Sequence, residues 1–393
     1  MRRGSLKTAL FYALLVLLPL VAIEGLTRAY FAWQVGPRLM LYGTPWFRSR
    51  HVEAGKTVPL RDRSVQRIGF QGAGYIKYHP NEIRRLRAPG AARESEVRIN
   101  NHGFRGPDFT IEKPPGVTRV LTLGASSTFG YANRDDETYP HYLQERLDRR
   151  APSGRRYEVI NFAVPHASTA NIVAMLHAEG WALQPDVLTF YEGINDSKEA
   201  ILARAYGHGL RRLSLAAELG HHLASLVLPA SVADLSEAAA AAGRSGFIVR
   251  LDQIRRECEA RGVRFIIVTQ QAKSLMVSPA EMRGLTFDEE VDRVVAALQS
   301  PEPVGDGRLP SMLPIRGGYG QFQVLMASIF LVHSHLTVDL RAWAAAHDVE
   351  LVDVIGLLDQ RRDLLVSWVH LAPEANRVIA DALAAQILGR TDS

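Results

Sequence analysis

The sequence has a single cysteine among its 393 residues, Cys258, so an intramolecular disulfide is excluded. This cysteine falls in the amphipathic run 247–259, where a buried and unreactive thiol is expected. Charge is nearly balanced, with 46 Lys and Arg against 41 Asp and Glu, and the basic residues are spread along the chain. There is no basic stripe with interleaved aromatic residues, so we expect no nucleic-acid partner.

Motifs for metal ions and phosphates are also scarce. Paired histidines occur only at His221-His222 and His333-Ser334-His335, and neither pair has convincing further ligands nearby. The glycine-rich turn at residues 124–130 lacks the Gly-Lys-Ser/Thr sequence of a P-loop. We therefore expect neither a metal-dependent enzyme nor a P-loop nucleotide site.

Long apolar runs are limited to one, at residues 8–23, which three basic side chains precede and Glu24 and Arg28 follow. Its length approaches the ~20 residues that a transmembrane helix needs. A cleaved signal peptide is the alternative, but the residues after the run make a poor cleavage site. The sequence predicts a single-pass anchor in the cytoplasmic membrane within residues 1–30. Its N-terminus is expected on the cytoplasmic side, and the remaining chain outside, in the periplasm or another extracytoplasmic space.

The rest of the chain divides into a neck and a larger domain. Residues 31–116 have little regular pattern and predict short strands with a hairpin near residues 97–109. From residue 117 onward, short apolar segments alternate with amphipathic ones. This alternation predicts an α/β domain over residues 117–393, with a parallel sheet covered by helices on both faces. Two stretches, at about 200–245 and 273–330, break the alternation and predict helical insertions.

The apolar segments place the strands at 119–123, 157–162, 187–191, 264–269 and 349–354. The amphipathic segments place the helices at 139–150, 170–181, 247–261, 336–347 and 373–388. Because ligands bind beyond the carboxyl ends of strands in such sheets, the residues that follow each strand are candidates for chemistry.

Three of these stretches carry reactive or hydrogen-bonding side chains. Ser126 follows the first strand on a turn whose amides could stabilise an oxyanion. Asn195 follows the third strand, and His370 comes just before the last helix. Taken alone, each stretch also fits a structural turn, a helix cap or a surface residue.

Taken together, the stretches resemble the conserved blocks of the SGNH (GDSL-like) hydrolase superfamily, in its bacterial membrane-anchored variety. Gly124-Ala125-Ser126 is similar to the Gly-Asp-Ser block, and residues 159–166 are similar to the second block. Gly193-Ile194-Asn195-Asp196 resembles the Gly-x-Asn-Asp block, and residues 369–376 resemble the last block, Asp-x-x-His-Leu-Thr-Pro-Glu-Gly-Asn. The resemblance covers about residues 95–200 and 246–388, and it implies a flavodoxin-like three-layer α/β/α sandwich.

For function, the resemblance implies a serine esterase or acyltransferase in which Ser126 is the nucleophile and His370 its base. It also implies that Asn195 helps to hold the oxyanion, and that the reaction needs no metal ion and no organic cofactor. The residues expected around the oxyanion and substrate are Gly124, His166, Gly193 and Asp196. The expected substrate is an acyl ester, acetyl among the candidates, on a polysaccharide or lipid of the cell envelope. The acceptor and the oligomeric state do not follow from the sequence.

Two residues depart from the family pattern. Ser367 stands where the family has the aspartate that orients the histidine, and His166 stands where it has an oxyanion glycine. Either Ser367 or Asp363 could orient the imidazole, or the site could work as a Ser–His dyad. These departures leave a second hypothesis open, that of a catalytically inactive SGNH-like scaffold or binding protein.

Overall fold

The structure, a computed structural model, describes residues 3–35, 57–58, 65–70, 73–86, 94–206, 246–278, 280–299 and 321–389. Most of the insertion predicted at about 200–245 and a large part of the predicted neck lie outside these ranges. The paired histidines at 221–222 also lie outside them. All of the predicted strands of the large domain, and every residue proposed for the site, are described.

The N-terminal part contains one long helix and two small antiparallel sheets. Helix α1 spans Arg3–Val35. Of the helices in the described ranges, none combines the length and the hydropathy that crossing a membrane requires. The first sheet comprises β1 Thr57–Val58, β2 Val65–Phe70 and β3 Ala73–Tyr78, and the second comprises β4 Ile83–Leu86 and β5 Ser95–Arg98.

Five strands form the central sheet, and every neighbouring pair in it is parallel. They are β6 Val117–Gly124, β7 Arg156–Ala163, β8 Val187–Tyr191, β9 Arg264–Val268 and β10 Glu350–Val352. Their order is β10-β9-β8-β6-β7, which is the 2-1-3-4-5 order of flavodoxin-like folds. The predicted parallel α/β sheet is therefore confirmed. Its order reverses direction between β6 and β8, the place where such folds bind ligands.

Helices follow the strands as the alternation predicted. They are α2 Ser126–Phe129, α3 Tyr139–Arg150, α4 Thr169–Met175, α5 Ile194–Tyr206, α6 Ile248–Arg261, α7 Phe287–Gln299, α8 Gln321–Ala346, α9 Val354–Leu358 and α10 Pro373–Gly389. Alternate residues of each strand face opposite sides of the sheet. Thus Leu121 packs in one apolar cluster with α4, α6 and α8, and Val120 packs in another with α3 and α10. Apolar clusters on both faces make three layers.

The predicted helix at 336–347 is longer than expected. It begins at Gln321, inside the stretch interpreted as the insertion 273–330, and α7 occupies another part of that stretch. Phe330 of α8 is buried against the same face of the sheet as Leu336. The sequence did not predict the start of α8, because this part of the helix is apolar on nearly all sides. It therefore lacks the periodic apolar spacing of a half-exposed helix.

Candidate active site

Ser126 lies on a tight turn between β6 and α2. It is half-buried, whereas its neighbours Ala125 and Ser127 are buried, so Ser126 is the residue of this turn that reaches solvent. Gly124 ends the strand at a position with no room for a side chain. A Cβ there would clash with Oγ1 of Thr128 and lie 2.8 Å from the carbonyl oxygen of Tyr191. Only glycine therefore lets β6 turn at this point.

His370 lies on the loop before α10, with only 7% of its surface exposed. An isolated β-bridge between Leu365 and Leu371 closes this loop. The Nδ1 atom of His370 lies 2.8 Å from Oγ of Ser367. Its Nε2 atom is buried without a hydrogen-bond partner in the described chain, and the Tyr131 ring stacks on the imidazole with centroids 5.7 Å apart.

Hydrogen bonds join the serine turn to the histidine loop. Ser127, directly after the proposed nucleophile, donates its hydroxyl to the carbonyl of Val369, directly before His370, at 3.1 Å. Asn133 donates its amide to the carbonyl of Leu371 at 3.1 Å, and Asn376 donates to Oδ1 of Asn133 at 2.9 Å. The residues on either side of His370 are thus bonded to the segment that starts at Ser126, although 242 positions separate Ser127 from Val369.

Of the two residues proposed to orient the imidazole, the structure places only Ser367 beside it. Asp363 accepts hydrogen bonds from Arg283 at 2.9 Å and from Arg361 at 3.4 Å instead. Asp363 lies within the short 3₁₀ turn Arg362–Leu364 and forms ion pairs with both guanidinium groups. In these contacts Asp363 pairs with two arginines, and Ser367 is the residue that bonds the imidazole.

Asn195 lies in the first turn of α5 and contacts the loop after β7. Its Nδ2 donates to the carbonyl of Ala167 at 3.0 Å, which leaves the second hydrogen of the amide for another acceptor. Beside it, Asp196 accepts the backbone N–H of Thr169 at 2.8 Å and its hydroxyl at 2.7 Å. Asp196 therefore holds the start of α4 in place, a structural task within the predicted pocket.

His166 occupies a turn that favours glycine. The turn is closed by the N–H of Ala167, which donates to the carbonyl of Val164 at 3.4 Å. Pro165 stands at its second position and His166, with φ of 65°, at its third, as in a type II turn. A positive φ is costly for a residue with a Cβ. The imidazole of His166 is exposed, so it stands at the rim of the site.

Gly193 packs closely against a buried histidine on α8. A Cβ at Gly193 would lie 3.1 Å from Cε1 of His333. The Nε2 of His333 bonds to the carbonyl of Gln270 at 2.7 Å, and burial lowers its pKa to about 4. His333 is therefore a buried residue that packs against the Gly193 turn and bonds the segment after β9.

Burial sets the charges in the site. It lowers the pKa of His370 to about 4, and the nearby charge of His166 adds to the effect. It raises the pKa of Glu192 to about 8, and that carboxyl group accepts the N–H of Asn195 at 2.8 Å. At neutral pH the imidazole of His370 is therefore uncharged, and the carboxyl group of Glu192 keeps its proton.

Sequence analysis missed Gln270, which follows β9 at the same edge of the sheet. Its Oε1 accepts the N–H of Ile194 at 2.9 Å, and its Nε2 donates to Oγ of Ser127 at 3.4 Å. One side chain thus links the Asn195 turn to the Ser126 turn. Gln270 also lies just beyond the carboxyl end of a strand, where functional residues are expected. It was missed because a single glutamine belongs to no recognisable motif.

Comparison with known proteins identifies one family that resembles part of this chain. Residues 122–301 match the model of the GDSL-like Lipase/Acylhydrolase family. No curated protein sequence matches this chain.

Several solved structures are similar over most of the chain. A lipase/acylhydrolase from Enterococcus faecalis is 14% identical, covers 70% of this chain and 96% of its own, and has a TM-score of 0.38. The acetylxylan esterase Axe2 from Geobacillus stearothermophilus is 14% identical, with 69% and 94% covered and a TM-score of 0.38. The family match takes in the turns of Ser126, His166 and Asn195. Residues 122–301 are therefore a GDSL-like lipase/acylhydrolase domain, and the chain is a serine hydrolase that acts on ester bonds.

Proposed function

We propose that the chain cleaves an acyl ester through an acyl-enzyme on Ser126, with His370 as the base. The observation that carries this proposal is the bond from Ser127 to the carbonyl of Val369. It ties the residue after the nucleophile to the residue before the base, so the hydroxyl and the imidazole share one edge of the sheet. Family membership supplies the class of reaction.

In the first half of the reaction, Oγ of Ser126 attacks the acyl carbonyl and its proton passes to Nε2 of His370. The carbonyl oxygen becomes an oxyanion, and the free hydrogen on Nδ2 of Asn195 and backbone amides of the turns are the donors we assign to it. One such donor contributes about 3–4 kcal/mol to lowering the barrier. The proton on His370 then goes to the leaving alcohol.

In the second half, water or the hydroxyl of an acceptor sugar attacks the acyl-enzyme and regenerates Ser126. Hydrolysis and transfer differ only in this acceptor. We propose a small acyl group such as acetyl, because the imidazole of His166 stands at the turn where the family pattern has a glycine. A glycan or lipid of the cell envelope is the proposed carrier of the ester.

The location of the protein stays a prediction from the sequence. It depends on the apolar run at 8–23 and its basic flank. Separating membranes from the soluble fraction of cells that produce the full chain would test it.

Labelling by a fluorophosphonate probe tests the nucleophile. We expect the probe to bind the intact protein covalently and Ser126→Ala to abolish the labelling. Ser153→Ala is a matched control, because Ser153 is exposed on the turn between α3 and β7. If well-folded intact protein takes up no label, the inactive scaffold becomes the better hypothesis.

The pH dependence of kcat/KM reports on the base in the free enzyme. Because burial keeps the imidazole of His370 unprotonated down to a pKa of about 4, hydrolysis of p-nitrophenyl acetate should stay constant on acidification until the pH approaches that value. His166→Gln should move this acid limb upward, since it removes a neighbouring positive charge. An acid limb near 6.5, the ordinary value for histidine, would show that the base is another group or is exposed.

A further inference from the structure

The hydroxyl of Ser367 has three polar neighbours, all at one end of the histidine loop. The backbone N–H of His370 donates to its Oγ at 3.0 Å, and the N–H of Val369 donates at 3.4 Å. The third neighbour is Nδ1 of His370, at 2.8 Å. A hydroxyl oxygen accepts two hydrogen bonds and donates one.

This count fixes the direction of the third bond. Since the two backbone amides can only donate, they occupy the two acceptor positions of Oγ. The hydroxyl hydrogen has one remaining acceptor within the described chain, Nδ1 of His370. We propose that Ser367 is a positioning residue that donates to Nδ1 and holds His370 in the tautomer with its proton on Nε2.

Each tautomer leaves a polar hydrogen without an acceptor in the described chain, but the opposite arrangement leaves two. With the proton on Nε2, only the Nε2–H of His370 lacks a partner. If Nδ1 carried the proton, three N–H groups would compete for the two acceptor positions of Oγ, so one N–H and the hydroxyl hydrogen would both lack an acceptor. Ser367 is only 7% exposed, so solvent offers little compensation. The aspartate of the family pattern would act differently at this position. A carboxylate only accepts hydrogen bonds, and it can accept from both backbone amides and from a protonated Nδ1.

The tautomer matters for the proposed acyl transfer, on which this part of the inference rests. A general base at Nε2 needs a lone pair there, and in the resting protein that position holds a hydrogen. To become competent, the imidazole must lose the Nε2 proton to solvent and take up another at Nδ1. The hydroxyl of Ser367 must then turn its hydrogen away, so the competent form is a minority of the protein.

Ser367 therefore limits the rate of Ser126 activation. In serine proteases, a neutral group that imposes the wrong histidine tautomer in place of the orienting acid lowers kcat by about 10⁴-fold. The groups that face the imidazole from other elements do not replace the acid. Tyr131 stacks on the ring and carries no acid. The charge of His166 is positive, so it opposes protonation of His370, whereas an aspartate would favour it.

Nuclear magnetic resonance reads the tautomer without any turnover. In protein labelled with ¹⁵N-histidine, the His370 signals are assigned by their loss in His370→Gln. At pH 7 we expect the His370 proton on Nε2 in the native protein and in Ser367→Thr, which keeps the hydroxyl. Ser367→Asp should move it to Nδ1. A proton on Nδ1 in the native protein would overturn the proposal.

Fluorophosphonate labelling rates give the catalytic consequence. Ser367→Asp should label Ser126 at least about 100-fold faster than native protein, because its carboxylate accepts from Nδ1 and stabilises the charged imidazole. Ser367→Asn is the matched control of equal size without charge, and it should stay within about threefold of native. Equal rates for Asp and Asn, in variants with native melting temperatures, would exclude the positioning role.

The two readouts separate failure of this inference from failure of the proposed function. If no variant is labelled but the proton is on Nε2, the hydrogen-bond assignment holds and the acyl-enzyme proposal fails. If native protein labels fast with the proton on Nδ1, the function holds and the inference fails.

Discussion

Replacing His370 with alanine should lower turnover of p-nitrophenyl acetate by about 10⁴-fold or more while the protein stays folded. The imidazole is the group we assign to take the proton of Ser126. The fold should persist because the loop is held by its backbone. Val369, Leu371 and Trp368 each accept a hydrogen bond through their carbonyl oxygens, from Ser127, Asn133 and the N–H of Lys273.

The stability cost of His370→Ala should be small, about 1–2 kcal/mol, since it removes one side-chain hydrogen bond and one ring stack. Steady-state kinetics and thermal unfolding of the same samples separate the two effects. His347→Ala is a suitable control, because that histidine is exposed at the end of α8. Native-like turnover in folded His370→Ala would remove His370 from its assigned role.

Replacing Arg362 with methionine should reduce the free energy of unfolding by about 3–5 kcal/mol, the range for removing one member of a buried ion pair. Its guanidinium and the carboxylate of Glu290 are both inaccessible to solvent and are directly bonded. The guanidinium also donates to Oε1 of Gln271 at 3.0 Å and to the carbonyl of Ala272 at 2.7 Å. Removing it leaves the Glu290 charge buried without its partner.

The double variant Glu290→Leu, Arg362→Met distinguishes charge burial from packing. When both charges leave together, the loss should largely disappear, because apolar replacements of a buried ion pair are often neutral or stabilising. Denaturant unfolding measures the free energy of unfolding of Arg362→Met and of the double variant. Arg361→Met, at a side chain that is 55% exposed, should change stability by less than about 0.5 kcal/mol. A double variant as unstable as Arg362→Met would contradict the ion-pair explanation.

This pair also shows how the second predicted insertion serves the site. Glu290 belongs to α7, and Arg362 begins the turn that leads to the His370 loop. Ser274 adds its N–H and hydroxyl to the same carboxylate, at 2.8 and 2.6 Å. In the described part of this predicted insertion, α7 is therefore bonded to the turn that precedes the His370 loop.

The sequence located the strands to within a few residues. The strand predicted at 187–191 has those bounds in the structure, and the others differ by at most two residues at either end. Short apolar runs with turn residues at both ends are local features of the chain, so the sequence alone is enough to identify them. The start of α8 was missed because a helix buried on nearly all sides lacks a local pattern.

The sequence by itself determined the parallel α/β sheet and the stretches that meet at its carboxyl edge, because apolar spacing and glycine turns act over a few residues. Only the tertiary structure decided that Ser367 and not Asp363 bonds the imidazole, that Gln270 joins two of the turns, and that Glu290 pairs with Arg362 across 72 positions. These contacts depend on where distant segments pack and which way each side chain points. Neither can be derived from the spacing of residues along the chain, since both are set when distant segments pack into one core.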